Sequence, residues 1–393
     1  MGAGVIFDKK SPISRKGIEP TQVKSIKLLT DLDDGSANNN TGTITEKSGI
    51  IFGKTYTFKV ETYTNEEPKD QSLIKWAVSY TDSETNQYYK NTLEDVVTGD
   101  TLNITFKNQN MCGNNLEVKA YINDIENEGK LPLFKHNRFR FFDREIIKKD
   151  TNKRKVDPWL INQDDTNTCG PSAIMYAFAK KDKESYSQFI LDLHRKGYAK
   201  HNNYSIDISS DGDLEDIADT NPTTKNNYPT SMASCDWIPN ICITDQENSL
   251  FDYEGDTKED FSAITLPLRL EKLAKSLLGY TDVIDNTNLY FRKSGWVWGS
   301  TLENIAELMN SKEAGYEVFL LVNMGLFNDT ISGDFSLPQH WIVLESISHS
   351  QTDSGYVDIS IYTWGRNPKI KYNYNKIRYE VFRTNYFGYV KAK

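Results

Sequence analysis

The sequence lacks any run of about 18 apolar residues, which a membrane-spanning helix would need. Its N-terminus, "MGAGVIFDKKSPISRKG", also lacks the long apolar stretch of a secretory signal peptide. We therefore expect no membrane span and synthesis in the cytoplasm. A protein of this kind that leaves its cell would do so by a route that needs no cleavable signal.

An excess of positive charge is also missing. The 393 residues include 46 Lys and Arg against 55 Asp and Glu, which gives a formal net charge of -9 and a pI near 5.3. Sequence-independent binding to nucleic acid or to anionic lipid needs the opposite sign, so we expect no nucleic-acid partner. Hydrophobic residues at 38% and aromatic residues at 12% predict a folded chain. Its length allows two or three domains.

Cysteine is scarce, and this excludes a disulfide framework. The four cysteines are scattered along the chain: Cys112, Cys169, Cys235 and Cys242. Cys235 and Cys242 lie seven positions apart and could bridge, but two buried thiols are the simpler interpretation. Their spacing is not a zinc signature. We expect no metal and no cofactor.

Residues 20–145 have the pattern of an all-β domain. Short runs rich in Val, Ile, Thr, Tyr and Phe alternate with Gly, Asn, Asp and Ser clusters, which predicts an antiparallel sandwich. Trp76 in "IKWAVSY" and the later "LEVKAYIN" resemble the immunoglobulin-like modules of bacterial surface and secreted proteins. The acidic stretch "DLDDGSANNN", from Asp31 to Asn40, lacks the glutamate that closes an EF-hand calcium loop, and we interpret it as a solvated turn.

The stretch 146–157 is strongly basic and is expected to be a solvated linker, with a docking segment for an acidic partner as the alternative. Helices and then strands follow in 158–393, which predicts an α+β domain. Pro267 and Gly197 mark the start of one helix and the end of another. The strands run from "YEVFLLVNMGLF" to "KIRYEVFRTNYFGYVKA", and an insertion is expected at about 198–299.

Cys169 lies in a Gly-Pro turn at the start of the apolar helix "CGPSAIMYAFAK". The partial positive charge at a helix N-terminus stabilises a thiolate, which is the nucleophilic form of cysteine. An activated cysteine also needs a base, normally histidine. Of the five histidines, His340 is the best placed, because it begins the strand "HWIVLESI" directly after the loop "NDTISGDFSLPQ".

The order of these residues resembles the papain-like cysteine peptidases. Gln163 lies six residues before the Cys-Gly pair, and the His-hydrophobic strand follows well downstream. The turn "CGPSA" is more similar to the bacteriocin-processing peptidases and to papain-fold domains of bacterial toxins than to papain itself. The resemblance implies that Cys169 attacks a carbonyl while His340 accepts and returns the proton. It also implies that the Gln163 amide and the Cys169 backbone N–H hold the oxyanion.

The residue that would orient the imidazole departs from the family pattern of an Asn or Asp. Hairpin pairing around "HSQTDSG" excludes Asp353 and Asp358, and it brings the stretch "YTWGRN" opposite His340. We therefore expect Thr363 or Asn367 to orient the imidazole. Three tryptophans are further candidates, either for shielding the site and contacting substrate or for ordinary core packing: Trp364, Trp296 and Trp298.

These observations predict a two-domain bacterial protein, an immunoglobulin-like module followed by a papain-like cysteine hydrolase. A fused β-module without a signal peptide is similar to toxin-type effectors exported by a dedicated machine such as type VI secretion. The implied partners are a protein or peptide substrate, a cognate immunity protein and a component of that apparatus. Two alternatives remain: an amidase, deamidase or acyltransferase with the same Cys-His pair, and a catalytically inactive adhesion or scaffold protein.

Overall fold

The computed structural model describes residues 20–36, 46–164, 166–220, 232–247, 265–289, 301–333, 336–363 and 373–393. These residues form a mixed α/β protein with several antiparallel sheets, in agreement with the multidomain expectation at this coarse level. The chain divides into two compact units. The first comprises the chain up to Asp31 together with Thr55–Thr105 and Asn115–Leu133, and the second comprises Leu32–Lys54, Phe106–Asn114 and Phe134–Lys393.

The strands of the described residues, in chain order, are β1 Val23–Leu28, β2 Asp33–Ser36, β3 Glu46–Gly49, β4 Thr55–Tyr63, β5 Lys75–Thr81, β6 Tyr88–Tyr89, β7 Thr101–Thr105, β8 Asn115–Tyr121, β9 Gly129–Phe134, β10 Tyr198–His201, β11 Tyr204–Asp207, β12 Val283–Thr287, β13 Glu317–Val322, β14 His340–His349, β15 Tyr356–Tyr362, β16 Asn373–Arg378 and β17 Tyr386–Ala392. The helices are α1 Arg144–Val156, α2 Cys169–Lys181, α3 Lys183–Lys196, α4 Gly212–Asp219, α5 Ser234–Glu247, α6 Pro267–Ser276, α7 Thr301–Glu313 and α8 Tyr379–Asn385.

The first unit contains a three-stranded sheet, β1-β4-β7, and strands of a four-stranded sheet, β6-β5-β8-β9. In β4 the side chains of Tyr56, Phe58 and Val60 are buried at alternate positions, as the period of a half-buried strand requires. Trp76 is buried in β5, and its indole N–H donates to the carbonyl of Gly99 over 2.8 Å. The alternating pattern of the sequence therefore yields a half-buried strand at β4, whereas β5 is buried at every position from Trp76 to Tyr80.

The second unit is built on a six-stranded sheet in the order β12-β17-β13-β14-β15-β16. The strand pairs along it are antiparallel, and Val322 of β13 lies opposite His340 at the start of β14. The sheet has an apolar cluster on each face. In β13, Phe319 and Leu321 belong to the cluster that contains α2, whereas Val318 and Leu320 belong to the cluster that contains residues of α7 and α8.

Helix α2 is buried all round, from Cys169 to Ala179, as its continuous apolar run predicts. The following helix, α3, ends at Gly197, which adopts a left-handed conformation with φ 68°. Only glycine takes this conformation without steric cost, so the predicted helix end is confirmed. The predicted start of α6 at Pro267 is confirmed as well.

The basic segment 146–157 differs from the expected linker, because most of it belongs to helix α1. The Asp143 carboxylate caps this helix by accepting from the backbone N–H groups of Glu145 and Ile146. Ile147 and Arg154, two turns apart, are buried on one face. The many charged residues of the segment made the helical spacing of its buried positions difficult to recognise in the sequence.

The C-terminal segment also differs from its prediction. The sequence "KIRYEVFRTNYFGYVKA" was expected to be strand throughout, but Tyr379–Asn385 forms helix α8 between β16 and β17. Val381 and Phe382 of this helix are buried against the sheet's second apolar cluster. Packing of these two side chains outweighs the strand propensity of the local sequence.

The structure also bears on the predictions for the acidic stretch, the cysteines and the insertion. Asp33–Ser36 of the acidic stretch is strand β2 rather than a turn, and residues 37–40 lie outside the described residues. All four cysteines are free and buried, so Cys235 and Cys242, both in α5, do not bridge. Within the expected insertion, the described residues form β10, β11, α4, α5, α6 and β12.

Candidate functional site

Cys169 is the first residue of helix α2 and is only 4% exposed. Three backbone N–H groups lie near its sulfur and favour the thiolate, those of Trp341 on strand β14, of Gly170 and of Cys169 itself. Burial raises the pKa of the thiol to about 11, and these three donors act in the opposite direction without compensating for it. In this structure Cys169 is therefore a protonated thiol held at the positive end of a helix.

Gly170 is in close contact with Thr265, which lies two residues before the start of α6. A Cβ atom at position 170 would lie 2.3 Å from Oγ1 of Thr265. The indole N–H of Trp341 donates to the Thr265 carbonyl over 2.8 Å. Thr265 is thus fixed both to the Cys-Gly turn and to the strand that begins with His340.

His340 is the first residue of β14 and is 3% exposed. Its Nε2 atom lies 2.6 Å from Oγ1 of Thr363, and its ring meets the Phe327 ring edge-on with centroids 5.9 Å apart. Burial lowers the pKa of His340 to about 3, so the imidazole is neutral. The hydroxyl that the sequence offered as an orienting group is within hydrogen-bonding distance of the imidazole.

The Cys169 sulfur approaches the backbone of the strand that begins with His340 rather than the His340 side chain. Trp341 packs in the same apolar cluster as Cys169, whereas the next residue, Ile342, belongs to the opposite cluster. Successive side chains of a strand point to opposite faces, so the His340 side chain leaves β14 on the same side as Ile342. The contact between the sulfur and the histidine strand consequently runs through the N–H of Trp341.

Gln163 is buried and belongs to the loop that precedes α2. Its side-chain Nε2 donates to the carbonyl of Thr166 over 3.0 Å, and the Thr166 hydroxyl donates back to the Gln163 carbonyl over 2.5 Å. One of the two donors expected for an oxyanion, the Gln163 amide, thus has an intramolecular acceptor here. Its Nε2 atom would have to turn away from Thr166 to reach a substrate.

A buried ion pair, which the sequence did not reveal, supports the Gln163 loop. Asp236 on α5 pairs with Arg154 on α1 through two contacts of 2.6 Å. The same carboxylate accepts from the backbone N–H of Asn162, next to Gln163, over 3.1 Å. Arg154 appeared as one charge within a basic run. The only signal in the sequence was its position seven residues after Ile147, on one helix face.

The other predicted residues are placed as follows. Asp358 pairs with Ser348, eight positions along β14 from His340, and Asp353 is bound to Lys376 over 2.6 Å. Four further candidates lie outside the described residues: Asn367, Trp364, Trp296 and Trp298. Two residues at the site that the sequence did not single out are Thr265 and Trp341, because neither belongs to a recognisable motif.

Within the part of the chain that the structure describes, no helix is long and apolar enough to cross a bilayer. Among the same residues no cluster of three or more His, Cys, Asp and Glu side chains is arranged to hold a metal ion. Comparison with protein-family profiles, with curated proteins and with solved structures finds no match to this chain. The geometry of the site therefore has to carry the functional argument.

Proposed function

We propose that this protein is a cysteine hydrolase that cuts a protein or peptide bond, with Cys169 as nucleophile and His340 as general base and acid. The observation that carries the proposal is the closeness of the Cys169 sulfur to the backbone N–H of Trp341, the residue after His340. It brings the start of the histidine strand to a thiol at a helix N-terminus, the arrangement in which a thiolate is stabilised.

The chemistry follows from the partners of each group. Because Nε2 of His340 is held by Thr363, Nδ1 is the nitrogen that takes the thiol proton. The thiolate adds to the substrate carbonyl, and Gln163 and the Cys169 N–H would stabilise the oxyanion. The imidazolium then returns the proton to the leaving amine, which leaves a thioester. Water attacks this thioester, releases the acid and restores the thiol.

The structure corresponds to the resting state in this proposal. With the pKa of the Cys169 thiol at about 11 and that of His340 at about 3, proton transfer between them is strongly unfavourable while both are buried. Catalysis would therefore require the thiol to become exposed and the start of β14 to rearrange, because the imidazole leaves this strand on the face opposite Cys169. Entry of water or a polar substrate would move both pKa values towards each other, because burial is the main cause of both shifts.

The test compares the wild-type protein with Cys169→Ala and His340→Ala in a bacterial lysate. New protein N-termini are identified by mass spectrometry, and growth is measured when the same variants are expressed. We expect each substitution to reduce the yield of new N-termini by at least about a thousandfold, since the two groups act as a unit. Cys242→Ala and His349→Ala, which alter a thiol and an imidazole elsewhere, are matched controls that should cleave normally.

An unchanged pattern of new N-termini in Cys169→Ala would refute the hydrolase. Amidase, deamidase and acyltransferase activity would use the same pair of residues. They are distinguished by incubating the protein with peptidoglycan fragments, and with peptides whose mass changes without a cut. Each of these activities should also depend on Cys169 and His340.

A catalytically inactive adhesion or scaffold protein is the second candidate, favoured by the burial of Cys169 and by its raised pKa. The rate at which iodoacetamide labels Cys169 separates the two. In an inactive scaffold, His340→Ala would not change the pH dependence of this rate. In a hydrolase, labelling at pH 6 should fall when the imidazole is removed.

The finer architecture is part of the same proposal. We assign the first unit to an immunoglobulin-like sandwich, supported by its antiparallel sheets and by buried Trp76. The second unit would have a papain-like fold, supported by the helix that starts at Cys169 and the strand that starts at His340. As a toxin-type effector, the protein would have a secretion-apparatus component and an immunity protein as partners. Co-purification with proteins from neighbouring genes tests this.

A further inference from the structure

Tyr362 is the last residue of strand β15 and is 2% exposed. It lies opposite Val343 of β14, and the next residue in the chain is Thr363, whose hydroxyl is 2.6 Å from Nε2 of His340. The backbone position of Tyr362 therefore determines where the orienting hydroxyl of the histidine lies.

The ring of Tyr362 packs directly on the helix that begins with Cys169. It stacks on the ring of Tyr176 in α2, with centroids 3.9 Å apart and planes 8° from parallel. The Trp159 ring packs against both, at 5.4 Å from Tyr176 and 6.2 Å from Tyr362. Stacking of two buried rings restrains their separation, so it restrains the spacing between β15 and α2.

The phenol of Tyr362 reaches a third segment. Its hydroxyl donates to the carbonyl of Ile161 over 2.9 Å, and Ile161 is two residues before Gln163. A buried carbonyl that loses its donor carries a free-energy penalty, so this bond restrains the path of the loop. The same side chain is thus attached to the loop of the oxyanion donor, to the cysteine helix and to the histidine's orienting residue.

We propose that Tyr362 is a positioning residue that holds Cys169, His340 and Gln163 in register with one another. The inference rests on the proposed function. Catalytic groups must keep their relative positions to within a fraction of an ångström, and a side chain attached to three of the supporting segments provides this restraint. Tyr362 does not touch the reacting atoms.

The test uses Tyr362→Phe, which keeps the aromatic ring and removes the hydroxyl that donates to the Ile161 carbonyl. Its matched control is Tyr176→Phe, which keeps the same stack and removes only the bond from the Tyr176 hydroxyl to Glu345. Iodoacetamide labelling of Cys169 is measured from pH 5 to pH 9 in both variants, in the wild type and in His340→Ala. The labelling of buried Cys242 in the same molecules corrects for any general opening of the fold.

We expect wild-type Cys169 to be labelled faster at pH 6 than Cys169 in His340→Ala, and Tyr362→Phe to lose this excess by about tenfold. Tyr176→Phe should retain it. An unchanged excess in Tyr362→Phe, or an equal loss in both tyrosine variants, would overturn the positioning role while leaving the hydrolase intact. A wild type that is labelled no faster than His340→Ala would overturn the hydrolase and, with it, this inference.

Discussion

The ionisable groups at the two ends of helix α2 differ in charge: the group at the C-terminal end is charged, and those at the N-terminal end are neutral. At the C-terminal end, Lys180 lies 3.2 Å from Glu317 and 2.5 Å from Glu345, and burial alone would lower its pKa. The two carboxylates outweigh burial and raise the pKa, so Lys180 keeps its charge. At the N-terminal end, burial keeps the Cys169 thiol and the neighbouring His340 imidazole neutral. Ion pairs thus stabilise charge at one end of the helix, whereas the groups at the other end are neutral because they are buried.

The largest expected effect is the loss of folding stability that burial of His340 causes when the pH is lowered. The pKa of His340 is about 3 in the folded protein and near 6.5 in the unfolded chain, so its contribution to stability is complete above pH 6.5 and is lost as the pH falls towards 3. We expect His340→Gln to remove about 2 kcal/mol of the loss in unfolding free energy between pH 7 and pH 5. Urea denaturation at each pH measures it. An identical pH dependence in the wild type and the variant would show that the folded protein already binds this proton.

A smaller effect is expected at the other end of the helix. Lys180→Met removes the cation that Glu317 and Glu345 share, and we expect a loss of about 1 to 2 kcal/mol at neutral pH. Lys181→Met is the control, since Lys181 lies 3.6 Å above the Tyr280 ring and has a different partner. The loss should shrink at low pH, because burial raises the pKa of Glu317 and its protonation removes one of the two paired charges. A loss that is independent of pH would mean that the pairs contribute nothing.

The smallest expected effect is the loss of folding stability that burial of the Cys169 thiol causes at alkaline pH. The unfolded thiol of Cys169 ionises near pH 9 and the folded one near 11, so the folded state loses stability as the pH rises between these values. Cys169→Ala should reduce the loss between pH 8 and pH 10 by about 1 kcal/mol. Cys242→Ala provides a comparison with a thiol whose pKa is also raised by burial. No difference for Cys169→Ala would mean that the thiolate forms in the folded protein.

Local signals in the sequence predicted the helices around the site. Gly197 and Pro267 set the end of α3 and the start of α6, because their backbone preferences act within a few residues. Helix α8 was missed because Val381, Phe382 and their aromatic neighbours favour strand locally, and only their burial against the sheet makes the segment helical. Propensity is informative where no distant contact competes with it.

The candidate site could be predicted only in part. A helix start at Cys169 and a strand start at His340 follow from local pattern, and the hairpin register brought Thr363 into consideration. The contact of the sulfur with the Trp341 backbone depends on how a helix packs on a distant strand, which no short motif encodes. Burial of both groups, and hence their neutral state, is also a property of the assembled unit.

The contact between Gly170 and Thr265 gives a structural reason for the glycine in the Cys-Gly dipeptide. Because Oγ1 of Thr265 occupies the space of a Cβ, any side chain at position 170 would push the threonine away from the turn. Relatives that retain this packing would be expected to preserve the glycine even after losing the thiol. The glycine of the dipeptide is therefore explained by the steric fit against Thr265, independently of the thiol beside it.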